Sequence, residues 1–347
     1  MSRPFRPERI LLIQLRRIGD VLMTTPAVRA LRQAYPEARI VYLTEAPADQ
    51  IFRNSPHVDE VWSFPLKAGV RQRWAMVRRL KSQRFDLAID FHSHPRTALI
   101  SRVSGAPRRI GLDLRGRRWA YTDPVQLPEG RHYAAVHKGA LLGPLGLELG
   151  SILPEVHLGT EERAYAERLL SGLGVGPEDF LVALLPVSRQ PYKVWPVDRY
   201  ARLADWLVER HGAKVLIPWG PGEESFVRQL RAAMQHEALP DYPVPSLLEL
   251  AALLERADLY VGNDAGPRHF AIAVGTPSVG VFGKPHPENW TPPGSPIHHT
   301  VSYDPGCKDA CTYPRCSHLN CINGVSFEAV QEATGQAIED IRHGRLS

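Results

Sequence analysis

Short apolar runs alternate along this chain with longer stretches whose apolar positions recur every three or four residues. In the first half, the runs at 10–15, 40–43, 58–62 and 87–91 predict buried strands, and the stretches at 21–34, 70–81 and 97–103 predict amphipathic helices. Turn signals such as Tyr35-Pro36-Glu37 and Ser104-Gly105-Ala106-Pro107 separate them. A Gly/Pro-rich passage runs from Gly143 through Gly150 to Pro154, and then the alternation restarts. Helices are expected at 160–173, 197–211, 223–234, 246–256 and 267–274, and strands at 180–185, 214–218, 258–261 and 278–282. Strands alternating with helices imply βαβ units and mainly parallel sheets. The reading is α/β with two doubly wound domains, 1–150 and 151–325, a linker near 143–175, and a helix within 326–347 that closes the fold.

The composition narrows the class. With 347 residues, 44% of them apolar and 23% charged, and no apolar run near the length of a membrane span, the chain is neither a transmembrane, collagen-like, disulfide-stapled nor disordered protein. Its polar start shows no export signal, which places it in the cytoplasm. The net charge of +5 conceals a division: residues 1–150 carry 25 Lys+Arg against 13 Asp+Glu, leaving 17 against 24 in the remainder. The basic half should meet an anion, and its many Arg forks suit phosphate or carboxylate. Nucleic acid, an anionic membrane surface and an acidic sugar all fit, as does a merely solvated face.

In doubly wound sheets, ligands bind where strands pass into helices at their carboxyl ends, so the loops there are the candidates. After the first strand, Leu15-Arg16-Arg17-Ile18-Gly19-Asp20 clusters three charges; Asp20 is either an ordinary helix cap or a carboxylate facing a cleft. After 180–185, Ser188, Arg189 and Lys193 could clamp a phosphate, while Trp195 reads as core. The strongest local signal is Gly262-Asn263-Asp264-Ala265-Gly266-Pro267-Arg268-His269. Small residues there allow close backbone approach, Pro267 pre-sets a helical φ, and the positive helix end favours a diphosphate. It is neither a G-x-G-x-x-G fingerprint nor a Walker A loop. His269 could equally be a satisfied buried histidine. Glu223, after Trp219-Gly220-Pro221-Gly222, is either a ribose contact or a first-turn acid complementing the helix dipole.

These motifs, in this order, resemble the ADP-heptose:lipopolysaccharide heptosyltransferase family, glycosyltransferase family 9. The residues carrying the likeness are Gly19-Asp20-Val21-Leu22-Met23-Thr24-Thr25-Pro26-Ala27, Ser188-Arg189 with Lys193-x-Trp195-Pro196, Trp219-Gly220-Pro221-Gly222-Glu223, and Asn263-Asp264-x-Gly266-Pro267-x-His269. Arg268 and the loop Asp90-Phe91-His92-Ser93 depart from the commoner pattern. The resemblance implies a GT-B fold, two Rossmann-like domains facing across a cleft, with the acceptor on the first and the nucleotide-sugar on the second. It implies that an ADP-sugar is the donor, that Asp20 is the catalytic base, and that Ser188, Lys193, Glu223, Asp264, Ala265, Gly266 and His269 bind the donor. The expected reaction is an inverting transfer of heptose to a hydroxyl of the lipopolysaccharide inner core. Arg16, Arg17, His92 and Arg96 are the expected contacts to that acidic acceptor. No nucleic-acid partner and no catalytic cofactor are implied, and the protein is expected to be a monomer. A relative using another nucleotide-sugar or another acceptor is the alternative reading. An oxidoreductase is disfavoured by the missing fingerprint, and a non-catalytic carbohydrate- or membrane-binding module is the third possibility.

Two further segments carry expectations. The stretch 70–81 could lay Val70, Trp74, Val77 and Leu80 on the sheet or on lipid, with its Arg residues toward anionic headgroups at the inner face of the inner membrane. All four cysteines fall in one segment, as Cys307-x3-Cys311-x4-Cys316-x4-Cys321. In a reducing compartment this clustering suggests a structural thiolate site, most simply for Zn²⁺, with free thiols or a redox pair as the other readings.

Overall fold

The computed structural model describes residues 5–64 and 69–344, without the side chain of Arg73; the polar start at 1–4 and the end at 345–347 lie outside the described residues. The chain divides into two compact units, Met1–His157 and Leu158–Ser347.

In the first unit the elements run β1 (Arg9–Ile13), α1 (Ile18–Leu22), α2 (Thr25–Ala34), β2 (Arg39–Thr44), β3 (Glu60–Ser63), α3 (Val70–Ser82), β4 (Leu87–Asp90), α4 (Pro95–Val103), β5 (Arg108–Leu112), β6 (Asp123–Val125) and α5 (Ala134–Ala140). All strands pair in parallel, in the order β3-β2-β1-β4-β5-β6. β1 and β4 are apolar and buried on both faces, as a parallel sheet covered by helices demands. Leu11, Ile13, Val41, Leu43, Trp62, Phe85 and Ala88 form one core, closed from outside by Leu80 of α3 and Ile100 of α4.

The second unit contains α6 (Thr160–Gly172), β7 (Leu181–Leu185), α7 (Val197–His211), β8 (Lys214–Leu216), α8 (Glu224–Ala233), α9 (Leu247–Arg256), β9 (Leu259–Asn263), α10 (Gly266–Ala273), β10 (Ser278–Phe282), β11 (His298–Ser302), α11 (Asn320–Asn323) and α12 (Phe327–Arg342). Its strands are also parallel, in the order β11-β10-β9-β7-β8. Helix α12 packs on β9, β10, β11 and α7, adding Val330, Ala337 and Ile338 to the core.

The expected helix at 21–34 is two helices. Thr24 and Thr25 turn their hydroxyls onto the carbonyls of Val21 (2.7 Å) and Leu22 (2.8 Å), and Pro26 occupies the first turn of α2. Strands β5, β6 and β11 and helix α5 were not foreseen. β5 opens with two arginines, which disguise it: Arg108 pairs with Asp123 of β6 at 3.0 Å, and Arg109 donates to the Ala120 carbonyl at 2.8 Å. β6 carries Pro124 at the sheet edge, and β11 is a polar edge strand, so neither shows an apolar run. α3 meets the core only through its later turns: Leu80 is buried, whereas Val70 and Trp74 are 71% and 63% exposed.

Candidate functional site

Each sheet reverses its winding at one place. In the first unit this lies between β1 and β4, and in the second between β7 and β9. The loops leaving those paired strands diverge to opposite faces and open a crevice at the strand ends. The sequence-derived candidates lie on the loops at these two places, except Glu223, which follows β8, and the four cysteines, which follow β11.

In the first unit, buried β1 runs through Gln14 and Leu15 to exposed Arg16 and Arg17, after which α1 begins. Asp20 stands in the first turn of α1, half-buried, and its carboxylate accepts the Arg17 backbone N–H at 3.2 Å. Asp20 therefore fixes the loop as a cap; this contact engages one of its oxygens. The loop after β4 holds Asp90, fully buried, whose carboxylate accepts from Tyr121 Oη (2.7 Å) and from the N–H groups of Ser93 (2.9 Å) and His92 (3.1 Å). Burial outweighs these donors and pushes Asp90 up to about 6. Ser93 adopts a left-handed φ of +48°, held by its hydroxyl, which donates to the Asp90 carbonyl (2.9 Å) and accepts the Leu112 N–H (2.8 Å). His92 is pushed down to about 4 by desolvation and then by the charge of Lys138; its buried Nδ1 has no hydrogen-bond partner.

Lys138 and Glu45 belong to this crevice and were missed in the sequence. The Lys138 ammonium reaches from α5 to Gln14 Oε1 (2.9 Å) and the Phe91 carbonyl (2.8 Å), while Gln14 Nε2 donates to the Arg16 carbonyl (2.6 Å). One half-buried cation thus fastens the β1 and β4 loops together, and the charges of Asp20 and Asp90 act on it. Glu45, buried on the β2 loop, lies 3.8 Å from Arg96; desolvation raises its carboxyl, opposed by Arg16 and Arg96. Lys138 escaped notice because it sits in a short, unforeseen helix. Glu45 escaped because its role arises only when β2 pairs beside β1.

In the second unit, Lys193 Nζ meets Asp264 Oδ2 at 2.6 Å, joining the loop after β7 to the loop after β9. Asp264 is 1% exposed, and its Oδ1 is buried with no hydrogen-bond partner. Asn263 beside it stitches the two loops: its Oδ1 accepts from the Trp195 N–H (3.1 Å) and Tyr200 Oη (2.8 Å), and its Nδ2 donates to the Pro186 carbonyl (2.6 Å). Trp195 is fully buried core. Ala265 caps α10 with extended backbone and no side-chain hydrogen bond, and Gly266 and Pro267 begin the helix. His269 is buried beside Trp290, its ring 5.4 Å from the indole, and burial pushes it down to about 4. Ser188 lies on the Lys193 loop, half-buried, accepting the Gln190 N–H at 3.4 Å. Glu223 instead follows edge strand β8, at the N-cap of α8, where its Oε2 accepts the Gly220 N–H at 2.7 Å. Arg268 turns away from the loop into the protein and donates to the Trp290 carbonyl at 3.1 Å. Gly280 makes room for it, since a Cβ there would overlap the guanidinium.

The four cysteines fall in the segment that runs from the end of β11 through α11. Among the described residues, no three of the thiols come within 4.8 Å of one another, and all four are free and half-buried. Cys321 is held above its ordinary value by burial and by neighbouring Cys311 and Cys316. Tyr313 of this segment stands edge-on to Tyr192 of the loop after β7, with the ring centroids 4.5 Å apart. Among the described residues, no helix is long and apolar enough to cross a membrane.

A family model for glycosyltransferase family 9 (heptosyltransferase) matches residues 73–317. The chain is 27% identical to lipopolysaccharide heptosyltransferase 3 of Escherichia coli K12 over 288 residues, covering 79% of this chain and 82% of that protein. It is similar in structure to a family 9 glycosyl transferase from Veillonella parvula DSM 2008, with a TM-score of 0.82, 24% identity, and 97% and 99% of the two chains covered. It is also similar to E. coli heptosyltransferase WaaC solved with ADP-2-deoxy-2-fluoro heptose, with a TM-score of 0.70, 21% identity, and 96% and 99% covered. The two doubly wound sheets share the GT-B fold with these structures, and the family match spans most of the sequence: the chain belongs to glycosyltransferase family 9 and is a glycosyltransferase.

Proposed function

We propose that the protein transfers a heptose from ADP-heptose to a hydroxyl of the lipopolysaccharide inner core, Kdo-lipid A or a heptosyl-Kdo acceptor, inverting the anomeric centre. The observation carrying this reading is the Lys193–Asp264 pair at the foot of α10, whose first N–H groups no side chain caps. A diphosphate laid there meets the ammonium and the positive end of the helix. Ser188 and the N–H groups at Ala265 and Gly266 complete the phosphate contacts. The free Asp264 Oδ1 accepts a sugar hydroxyl, neutral His269 lines the pocket without adding charge, and Glu223 takes the ribose. The names of the similar proteins support this donor and acceptor: one is a lipopolysaccharide heptosyltransferase, another holds an ADP-heptose analogue.

Asp20 accepts the proton of the acceptor hydroxyl as that oxygen attacks the anomeric carbon. As the bond to ADP breaks, negative charge grows on the diphosphate, and Lys193 with the α10 dipole stabilises it more in the transition state than in the ground state. A single displacement needs no covalent intermediate, and these cationic groups do the work for which other transferases use a metal. Arg16, Arg17 and Arg96 receive the acidic sugars, and uncharged His92 hydrogen-bonds beside them. The basic first half and exposed Trp74 on α3 suit a monomer working at the cytoplasmic, anionic face of the inner membrane.

Release of the nucleoside diphosphate, measured separately with ADP-heptose, ADP-glucose, UDP-glucose and GDP-mannose over Kdo-lipid A, tests the proposal. Turnover confined to ADP-heptose supports it, and turnover of another donor in preference overturns it.

A further inference from the structure

Away from the glycosyl-transfer residues, His57, Glu155 and His157 bring one potential ligand atom each to within 4.8 Å of the others. His57 lies in the turn ahead of β3, and the other two lie in the irregular segment that follows α5, so the cluster is long-range within the first unit. His57 Nε2 stands 3.0 Å and His157 Nε2 3.5 Å from the same oxygen, Glu155 Oε1. Two donors on one tetrahedral zinc ion, each about 2.0–2.1 Å from it, lie about 3.3 Å apart, and the two observed separations bracket that value.

The carboxylate is already turned for such use. Arg29 engages its other oxygen, Oε2, and the Glu155 N–H donates to Thr25 Oγ1 at 2.9 Å. Arg29 also donates to the carbonyls of Ser151 (3.1 Å) and Leu153 (3.4 Å), so the segment carrying Glu155 and His157 is anchored from behind. Oε1 and His157 Nε2 are buried with no hydrogen-bond partner. Three lone-pair atoms facing one another repel unless a proton or a cation sits among them. A neutral His57 with its proton on Nε2 satisfies one of these contacts, whereas a bound cation satisfies all three.

We propose that His57, Glu155 and His157 bind a divalent transition metal of the Zn²⁺ type, with water in the fourth position and Arg29 as the outer group that orients the carboxylate. Two imidazoles and a carboxylate suit zinc better than the oxygen-seeking Mg²⁺ or Ca²⁺. Bound there, the ion ties the segment after α5 to the turn before β3. The site is separate from the four cysteines and from the proposed transfer chemistry.

Chelator-treated full-length protein is titrated with Zn²⁺ by calorimetry and with Co²⁺ by absorption, as wild type and as the variants His57→Gln, His157→Gln and Glu155→Gln. The glutamine variants retain polarity and size, and a circular-dichroism melt confirms that each is folded. Wild type is expected to show a binding event whose Co²⁺ spectrum lacks thiolate charge transfer, and each variant is expected to weaken that event more than about tenfold. Absence of metal binding in the wild type, identical isotherms in wild type and variants, or a purely thiolate-type Co²⁺ spectrum overturns the site in favour of a plain His57–Glu155 ion pair.

Discussion

Lys193 and Asp264 lie 71 positions apart in the chain, yet their side chains meet at 2.6 Å across the point where the second sheet reverses its winding. The pairing follows from strand order: β7 and β9 are direct neighbours, so the loops leaving them start side by side. Their opposite charges hold those loops in one conformation and leave Asp264 Oδ1 free to accept.

Asp20 offers a clean separation of roles. Asp20→Asn keeps an oxygen for the Arg17 N–H, so α1 should remain capped, while the proposed base is lost. Transfer is expected to fall by about 10²–10⁴-fold, with ADP affinity unchanged by calorimetry.

Asp90 makes folding depend on pH. Its carboxyl is held at about 6 in the folded protein against an ordinary value of 3.8, so folding favours the protonated form. The corresponding stability is fully present below about pH 4 and is lost as pH rises through about 6, a change of about 3 kcal/mol. Asp90→Asn should flatten this part of the curve in urea melts, and an unchanged slope would remove the assignment.

His92 and His269 move the other way. Both are held near 4, so each contributes stability above its ordinary 6.5 that disappears as pH falls through about 4. At about pH 5, where an exposed imidazole is charged, nuclear magnetic resonance should find both rings neutral.

Gly280→Ala tests the inward course of Arg268. The added methyl overlaps a fully buried guanidinium that cannot swing to solvent, so about 1–3 kcal/mol of stability should be lost in thermal melts.

The sequence made the second unit easier to read than the first. There, strands β7, β9 and β10 are buried and largely apolar, and Asn263-Asp264 directly ends one of them, so the fold and the loop that carries Asp264 were visible. In the first unit, Arg108 and Arg109 hid β5, and Lys138 lay in an unforeseen helix; its role depends on Gln14 and Phe91, 124 and 47 residues away. Pairs formed by sheet order leave no local trace in composition or periodicity. Close spacing in sequence is likewise not close spacing in space: among the described residues, no three of the four sulfurs lie within 4.8 Å of one another.

Lys193 is proposed to serve the departing nucleotide more than the resting one. The direct measurement is kcat for heptose transfer from ADP-heptose to Kdo-lipid A by wild type and by Lys193→Ala, alongside ADP affinity in both. In Lys193→Ala, kcat is expected to fall by about 10²–10³-fold while ADP affinity falls by less than about tenfold. An unchanged kcat, or a loss appearing wholly in ADP affinity, would contradict it.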